Sequence, residues 1–137
     1  MTLVLFYEKP GCATNARQKK LLYKAGCTLI VQNLLALNMG PDELRTYLDG
    51  RPVAEWFNPN APAVKEGRVD PSAYNAETAL FMLLQDPILI RRPLISVNGH
   101  RMCGFDQAKI EGIINTPLGT PIDNGCSSEN GEFCPEP

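Results

Sequence analysis

This chain has no marked excess of charge of either sign. Thirteen Lys and Arg against fifteen Asp and Glu leave a net charge of −2 over 137 residues. With no basic excess, there is no electrostatic case for a nucleic-acid or anionic-membrane partner. The opening apolar run is broken at Glu8 and Lys9, too early for a signal peptide or a membrane span, so the cytoplasm is the expected compartment. Internal repeats are absent. The five cysteines, Cys12, Cys27, Cys103, Cys126 and Cys134, are an odd number with no even framework. In a reducing compartment they read as thiols rather than structural bridges. The single histidine, His100, falls in a hairpin, and Cys126-x7-Cys134 lacks the C-x2–4-C spacing of zinc pairs, so no metal is expected. One further absence bears on chemistry. Cys12-Ala13-Thr14-Asn15 has no second cysteine, which excludes a dithiol cycle of the C-x-x-C kind within the turn. Cys12-x4-Arg17 also misses the C-x5-R loop of low-molecular-weight tyrosine phosphatases by one residue.

What is present begins with the place of Cys12. Thr2 to Tyr7 reads as a short buried strand, Glu8-Lys9-Pro10-Gly11 as a tight turn, and Ala13 to Ala25 as a helix ended by Gly26. A cysteine where a turn enters a helix faces unpaired backbone N–H groups and the positive end of the helix dipole. Those donors favour thiolate over thiol, the form that attacks. Pro10 and Gly11 beside it argue against a packed core position. The alternative is a small buried hydrophobe, the commoner fate of a lone cysteine.

The rest of the chain supplies the frame. Cys27 to Val31 is β-branched and reads as a second strand, so the first thirty residues form a βαβ unit with a right-handed crossover. Pro41-Asp42-Glu43 opens a helix with Leu44, Tyr47 and Leu48 on its apolar face, ended by Gly50. A short helix near Pro52 presents Val53, Trp56 and Phe57, with Trp56 in the core. Asn75 caps a helix through Gln85, whose run Leu80-Phe81-Met82-Leu83-Leu84 implies deep burial. Leu94–Val97, Asn98-Gly99 and His100–Cys103 form a two-residue hairpin of type I′. Asp106 then caps a last helix that turns Ile110, Ile113 and Ile114 to the core. The order β-α-β, helices, β-β-α implies an α/β, thioredoxin-like fold with a mixed sheet. Residues 1–115 form the domain, with a helical insertion around 40–86. Residues 116–137, rich in Pro, Gly and Ser, read as a flexible tail. Cys27 and Cys103 bound predicted strands and are structural. Cys126 and Cys134 lie in the tail, where either thiol has the reach to resolve an oxidised Cys12, although thiols of no chemical role are the simpler account.

A second signal is Leu89-Ile90-Arg91-Arg92-Pro93-Leu94-Ile95. Arg91 reads as a solvated charge. Arg92, directly before a proline that opens a strand, is carried toward the Cys12 end of the sheet, where a guanidinium holds an oxyanion or carboxylate in bidentate fashion.

These pieces resemble the arsenate reductase, Spx and YffB superfamily of thioredoxin-like proteins. The resemblance covers roughly residues 2–115 and rests on Tyr7-x2-Pro10-x-Cys12, Asp86-Pro87-x3-Arg91-Arg92-Pro93 and Gly99-x3-Cys103-Gly104-Phe105. The segments 6–12, 51–57 and 89–94 are similar to one branch, the nitrogenase-associated NifO-like group. The resemblance implies that Pro93 is cis, that Cys12 and Arg92 are catalytic, and that Pro10, Gly11, Asn15 and Pro93 border the substrate or thiol. It implies no bound cofactor, glutathione or a partner-protein thiol as co-substrate, and a nitrogen-fixation protein as a further partner. In arsenate reductases of this type three arginines hold the oxyanion. Arg92 matches one; Asn58 and Gly104 stand at the other two. Two lost charge-assisted contacts imply a penalty of roughly a hundredfold or more in oxyanion handling, which Arg91 or Arg101 offsets only by turning into the site. The alternative function is a non-catalytic, Spx-like interaction module.

Overall fold

A computed structural model describes residues 2–119 of the chain. A four-stranded mixed sheet runs in the order β2-β1-β3-β4, built from β1 (Leu3–Glu8), β2 (Thr28–Asn33), β3 (Leu94–Val97) and β4 (His100–Cys103). β1 is parallel to β2 and antiparallel to β3, and β3 is antiparallel to β4. The helices are α1 (Ala13–Lys24), α2 (Pro41–Leu48), α3 (Pro62–Lys65), α4 (Ala76–Gln85) and α5 (Gln107–Ile114). The expected thioredoxin-like order, with α2 to α4 inserted between β2 and β3, is the one observed.

Local chemistry sets the boundaries. α1 ends in paired bonds, Gly26 N–H to Tyr23 O and Cys27 N–H to Leu22 O, with Gly26 at φ +90°. That is the Schellman arrangement, in which a left-handed residue closes the last turn. It commits the Cys27 amide to the helix, so β2 starts at Thr28 rather than Cys27 and continues to Asn33. α2 opens on Pro41 and buries Leu44, Tyr47 and Leu48. The segment at Val53–Trp56 is a 3₁₀ turn rather than an α-helix, with Trp56 in the core and its indole N–H donating to Arg51 O at 3.0 Å. Asn75 caps α4 by accepting from Thr78 N–H at 2.8 Å. In the hairpin, Asn98 and Gly99 both take positive φ, 50° and 86°, as a type I′ turn requires.

Two apolar layers sandwich the sheet. On one face α2, α4 and the 3₁₀ turn pack Leu44, Tyr47, Trp56, Leu83 and Ile90 against Leu94 and Cys103. On the other, α1 and α5 pack Leu22, Cys27 and Ile110 against Val4, Phe6, Ile95 and Met102. Cys27 and Cys103 are thus core residues. Ile113 and Ile114 are only partly buried at the margin of the second layer. Two expectations need correction. Phe81 is 63% exposed while Ala79, Leu80 and Leu83 are buried, because a run of five apolar residues spans more than a full helical turn and cannot all face inward. Packing also continues past the expected domain boundary: Leu118 is buried, its N–H bonds Glu111 Oε2 at 2.7 Å, and Gln107 Nε2 bonds Gly119 O at 2.9 Å. The remainder of the expected tail, with Cys126 and Cys134, lies outside the described residues.

Candidate active site

Cys12 is the N-cap of α1. Its Sγ accepts from Asn15 N–H at 3.4 Å, and its own N–H closes the preceding turn onto Lys9 O at 3.1 Å. Gly11 holds φ +84° in that turn, a left-handed geometry that a side chain would strain. Folding back over the first helical turn, the cysteine is only 4% exposed. The expectation that Pro10 and Gly11 keep it out of packed surroundings is therefore corrected: they are themselves exposed while Cys12 is buried.

Below the turn is a buried polar layer. Asn15 Oδ1 accepts from Lys9 N–H at 3.1 Å, and its Nδ2 donates to Gln18 Oε1 at 2.9 Å. Thr14, Asn15 and Gln18 have no exposed surface, and Lys9 is 4% exposed. Asn15, expected to border the substrate or thiol, is fully buried and clamps the cysteine turn from inside. Lys9 was missed from sequence, where a charge in a turn reads as solvent-facing. The neighbouring Glu8 behaves more conventionally, in an ion pair with Lys19.

Register brings the proline segment to the same end. Leu94, the first residue of β3, pairs with Tyr7 near the end of β1, so Arg92 and Pro93 lie across from the strand terminus that leads into Cys12. The Arg92–Pro93 bond is cis, and Arg92 is buried at 3% exposure. The other anchor positions are occupied differently from an arginine site. Asn58 is 3% exposed; its N–H donates to Leu89 O at 2.7 Å, its Oδ1 accepts from Asn60 N–H at 3.0 Å, and its Nδ2 has no hydrogen-bond partner among the described residues. Gly104 takes φ +82°, and a Cβ there would stand 2.8 Å from Arg51 Nη2 and 3.3 Å from Arg91 Cδ.

Arg51, to which the sequence assigned no site role, therefore reaches across 52 residues to that bend, its Nε donating to Cys103 O at 2.8 Å and its Nη1 pairing with Glu55 at 3.1 Å. Arg91 is half-buried rather than solvated, with its N–H on Trp56 O at 2.9 Å and its Nε on Glu55 O. Burial, then repulsion from Arg51, lowers its pKa. Arg101 is engaged by α2, donating to Thr46 Oγ1 at 2.7 Å and lying 5.1 Å from the centre of the Tyr47 ring. Among the other thiols, burial pushes Cys103 up to about 11, and raises Cys27 as well. Among the described residues, no three His, Cys, Asp or Glu side chains are grouped to hold a metal ion, and no helix is long and apolar enough to cross a membrane.

The ArsC family model matches residues 7–113, from the end of β1 through α5. The chain belongs to the ArsC family. An uncharacterized 15.7 kDa protein of the draG 3' region in Rhodospirillum rubrum is 42% identical over 123 residues, covering 90% of this chain and 86% of that protein. Among solved structures, an ArsC-family-related protein from Bacteroides fragilis superposes with TM-score 0.70 at 24% identity, covering 80% of this chain and 97% of its own. Arsenate reductase from Vibrio cholerae superposes with TM-score 0.67 at 22% identity, covering 82% and 98%. Likeness at these identities is likeness of fold.

Proposed function

We propose that this ArsC-family protein is a cytoplasmic monothiol oxidoreductase in which Cys12 is the nucleophile and glutathione, or a partner-protein thiol, is the co-substrate. The observation that carries the reading is the Asn15 N–H donating to Cys12 Sγ at the start of α1, beside a cis-proline segment delivered by Arg92. A helix N-terminus stabilises a thiolate, and cysteine at such a terminus attacks sulfur electrophiles. With Asn15 in place of a second cysteine, the cycle needs an external thiol. The Cys12 thiolate attacks the glutathionyl sulfur of a mixed disulfide, the S–S bond breaks, and the departing thiolate takes a proton. A glutathione thiolate then attacks the Cys12 mixed disulfide, restoring Cys12 and releasing oxidised glutathione.

A role beside nitrogen fixation is part of the same proposal. The three segments that resemble the nitrogenase-associated branch converge in space: Arg91 N–H bonds Trp56 O, Asn58 N–H bonds Leu89 O, and β3 pairs with β1 just before the Cys12 turn. One observation favours the alternative, a Spx-like interaction module, namely the 4% exposure of Cys12. The test is glutathione-coupled reduction of the mixed disulfide of glutathione and 2-mercaptoethanol, run beside arsenate. Turnover that vanishes in Cys12→Ser, with arsenate turnover about a hundredfold or more below that of a three-arginine enzyme, is expected. A folded protein with no disulfide turnover would favour the interaction module.

A further inference from the structure

We propose that Cys126 is the resolving thiol of Cys12, closing an internal disulfide with it during turnover. The inference rests on the thiol reading of Cys12 and names the group that first relieves its mixed disulfide. Its basis is where the chain is led after α5. β4 ends at Cys103, opposite Leu94, and Leu94 in turn pairs with Tyr7. The bend after Cys103 and the first turn of α5 therefore stand at the Cys12 end of the sheet. α5 and α1 cover the same face, through Ile110 and Leu22. At Asn115, with φ +56°, the chain reverses. Leu118 sinks into that layer with its N–H on Glu111 Oε2, and Gly119 O accepts from Nε2 of Gln107, the first residue of α5. The return retraces α5 and brings Gly119 to the end and the face on which Cys12 heads α1.

Reach follows from this placement. β4 and β1 are separated only by β3, a distance of about 10 Å across two strand spacings. Seven residues lead from Gly119 to Cys126, a contour of at most about 25 Å. Cys134 is fifteen residues away, and effective concentration falls as a linker grows beyond the span it must cover. The thiols within the fold are excluded by position. Cys27 follows α1 at the opposite end of the sheet, where its neighbour Thr28 pairs with Leu3. Cys103 is buried in the layer on the opposite face. Charge favours the same approach. Residues 120–137 carry Asp123, Glu129, Glu132 and Glu136 and no Lys or Arg. Lys9 belongs to the Cys12 turn, and the Arg17 guanidinium is folded back onto Thr14 Oγ1 in the first turn of α1. Opposite charges at this range draw the segment toward the sulfur.

The step is a thiol–disulfide exchange. Once Cys12 holds a glutathionyl group, the Cys126 thiolate attacks the Cys12 sulfur. A bond forms between the two protein sulfurs, the bond to glutathione breaks, and glutathione leaves as a thiolate that takes up the proton given up by Cys126. Two glutathione thiols then reduce the internal disulfide, giving oxidised glutathione and both protein thiols. The net reaction is that of a cycle without Cys126; what changes is the lifetime of the mixed disulfide.

To test this, the reduced full chain is mixed with one equivalent of the mixed disulfide of glutathione and 2-mercaptoethanol, quenched in acid at intervals and mapped by peptide mass. The Cys12 adduct should pass into a cross-link to Cys126 within one chain. In Cys126→Ser the adduct should persist about a hundredfold longer at about 10 μM free thiol, because an internal thiol acts at about millimolar effective concentration. In Cys134→Ser the cross-link should form as in the natural chain. An adduct equally long-lived in the natural chain and in Cys126→Ser, a cross-link to Cys134 instead, or one joining two chains would overturn the proposal. Each of those outcomes still contains a Cys12 adduct and leaves the thiol reading standing, whereas no adduct at Cys12 in any variant would remove both.

Discussion

Asn15 carries more of the site's geometry than any other single side chain. Both ends of its amide are spent inside the protein, one on the Lys9 N–H and one on Gln18, and its backbone N–H is the donor to Cys12 Sγ. Replacing it by alanine removes two buried hydrogen bonds, the one accepted from Lys9 N–H and the one donated to Gln18 Oε1. Such losses cost about 1–3 kcal/mol, so Asn15→Ala should lower the free energy of unfolding in urea by that amount. A change below about 0.5 kcal/mol, the range of surface substitutions, would mean that the clamp is dispensable. The position of Cys12 was legible in the sequence because strand, turn and helix signals are all local. The burial of Lys9 and the reach of Arg51 were not, since both depend on partners placed by the fold. Gly104 teaches the same lesson in reverse. Reading it as a vacant arginine position suggests restoring the arginine, but Arg51 already fills that space, and an arginine there would have to expel it.

At the scale of elements, capping residues were reliable guides: Asn75, Asp106 and the Asn98-Gly99 pair all do what their chemistry indicates. Apolar runs were less so. In α4 the run from Leu80 to Leu84 gives no periodicity from which to choose a face, and only packing against α2 and the sheet decides that Leu83 is buried and Phe81 exposed. This assignment predicts a contrast. Leu83→Ala should destabilise the protein by about 2–5 kcal/mol through lost burial and the cavity left behind, whereas Phe81→Ser should change stability by less than about 0.5 kcal/mol. Thermal and urea melts of the two variants measure it directly, and equal losses would mean that the helix presents a different face.

For the molecule as a whole, the sheet order brings three distant stretches of sequence to one end: the turn after β1, the 3₁₀ turn after α2, and the cis-proline segment before β3. A thiol and a buried arginine are thereby gathered at one end of the sheet. The topology was legible from the alternation of strand and helix signals, because β1 and β2 are joined through a single helix and β3 and β4 through a two-residue turn. Access was not, since whether a sulfur is covered depends on how a turn folds over it. The central claim is that Cys12 is the working nucleophile, and exposure alone argues otherwise, ranking Cys27 at 7% ahead of Cys12 at 4% and Cys103 at 1%. Burial raises Cys27 and pushes Cys103 up to about 11, whereas Cys12 Sγ accepts from the Asn15 N–H. The direct test is iodoacetamide labelling of the native protein at pH 8, in a Cys126→Ser, Cys134→Ser background, followed by peptide mapping. Cys12 should be modified about tenfold or more faster than Cys27 and Cys103, which should label freely only on unfolding. Labelling of Cys27 first, or of all three at one common rate, would contradict the account.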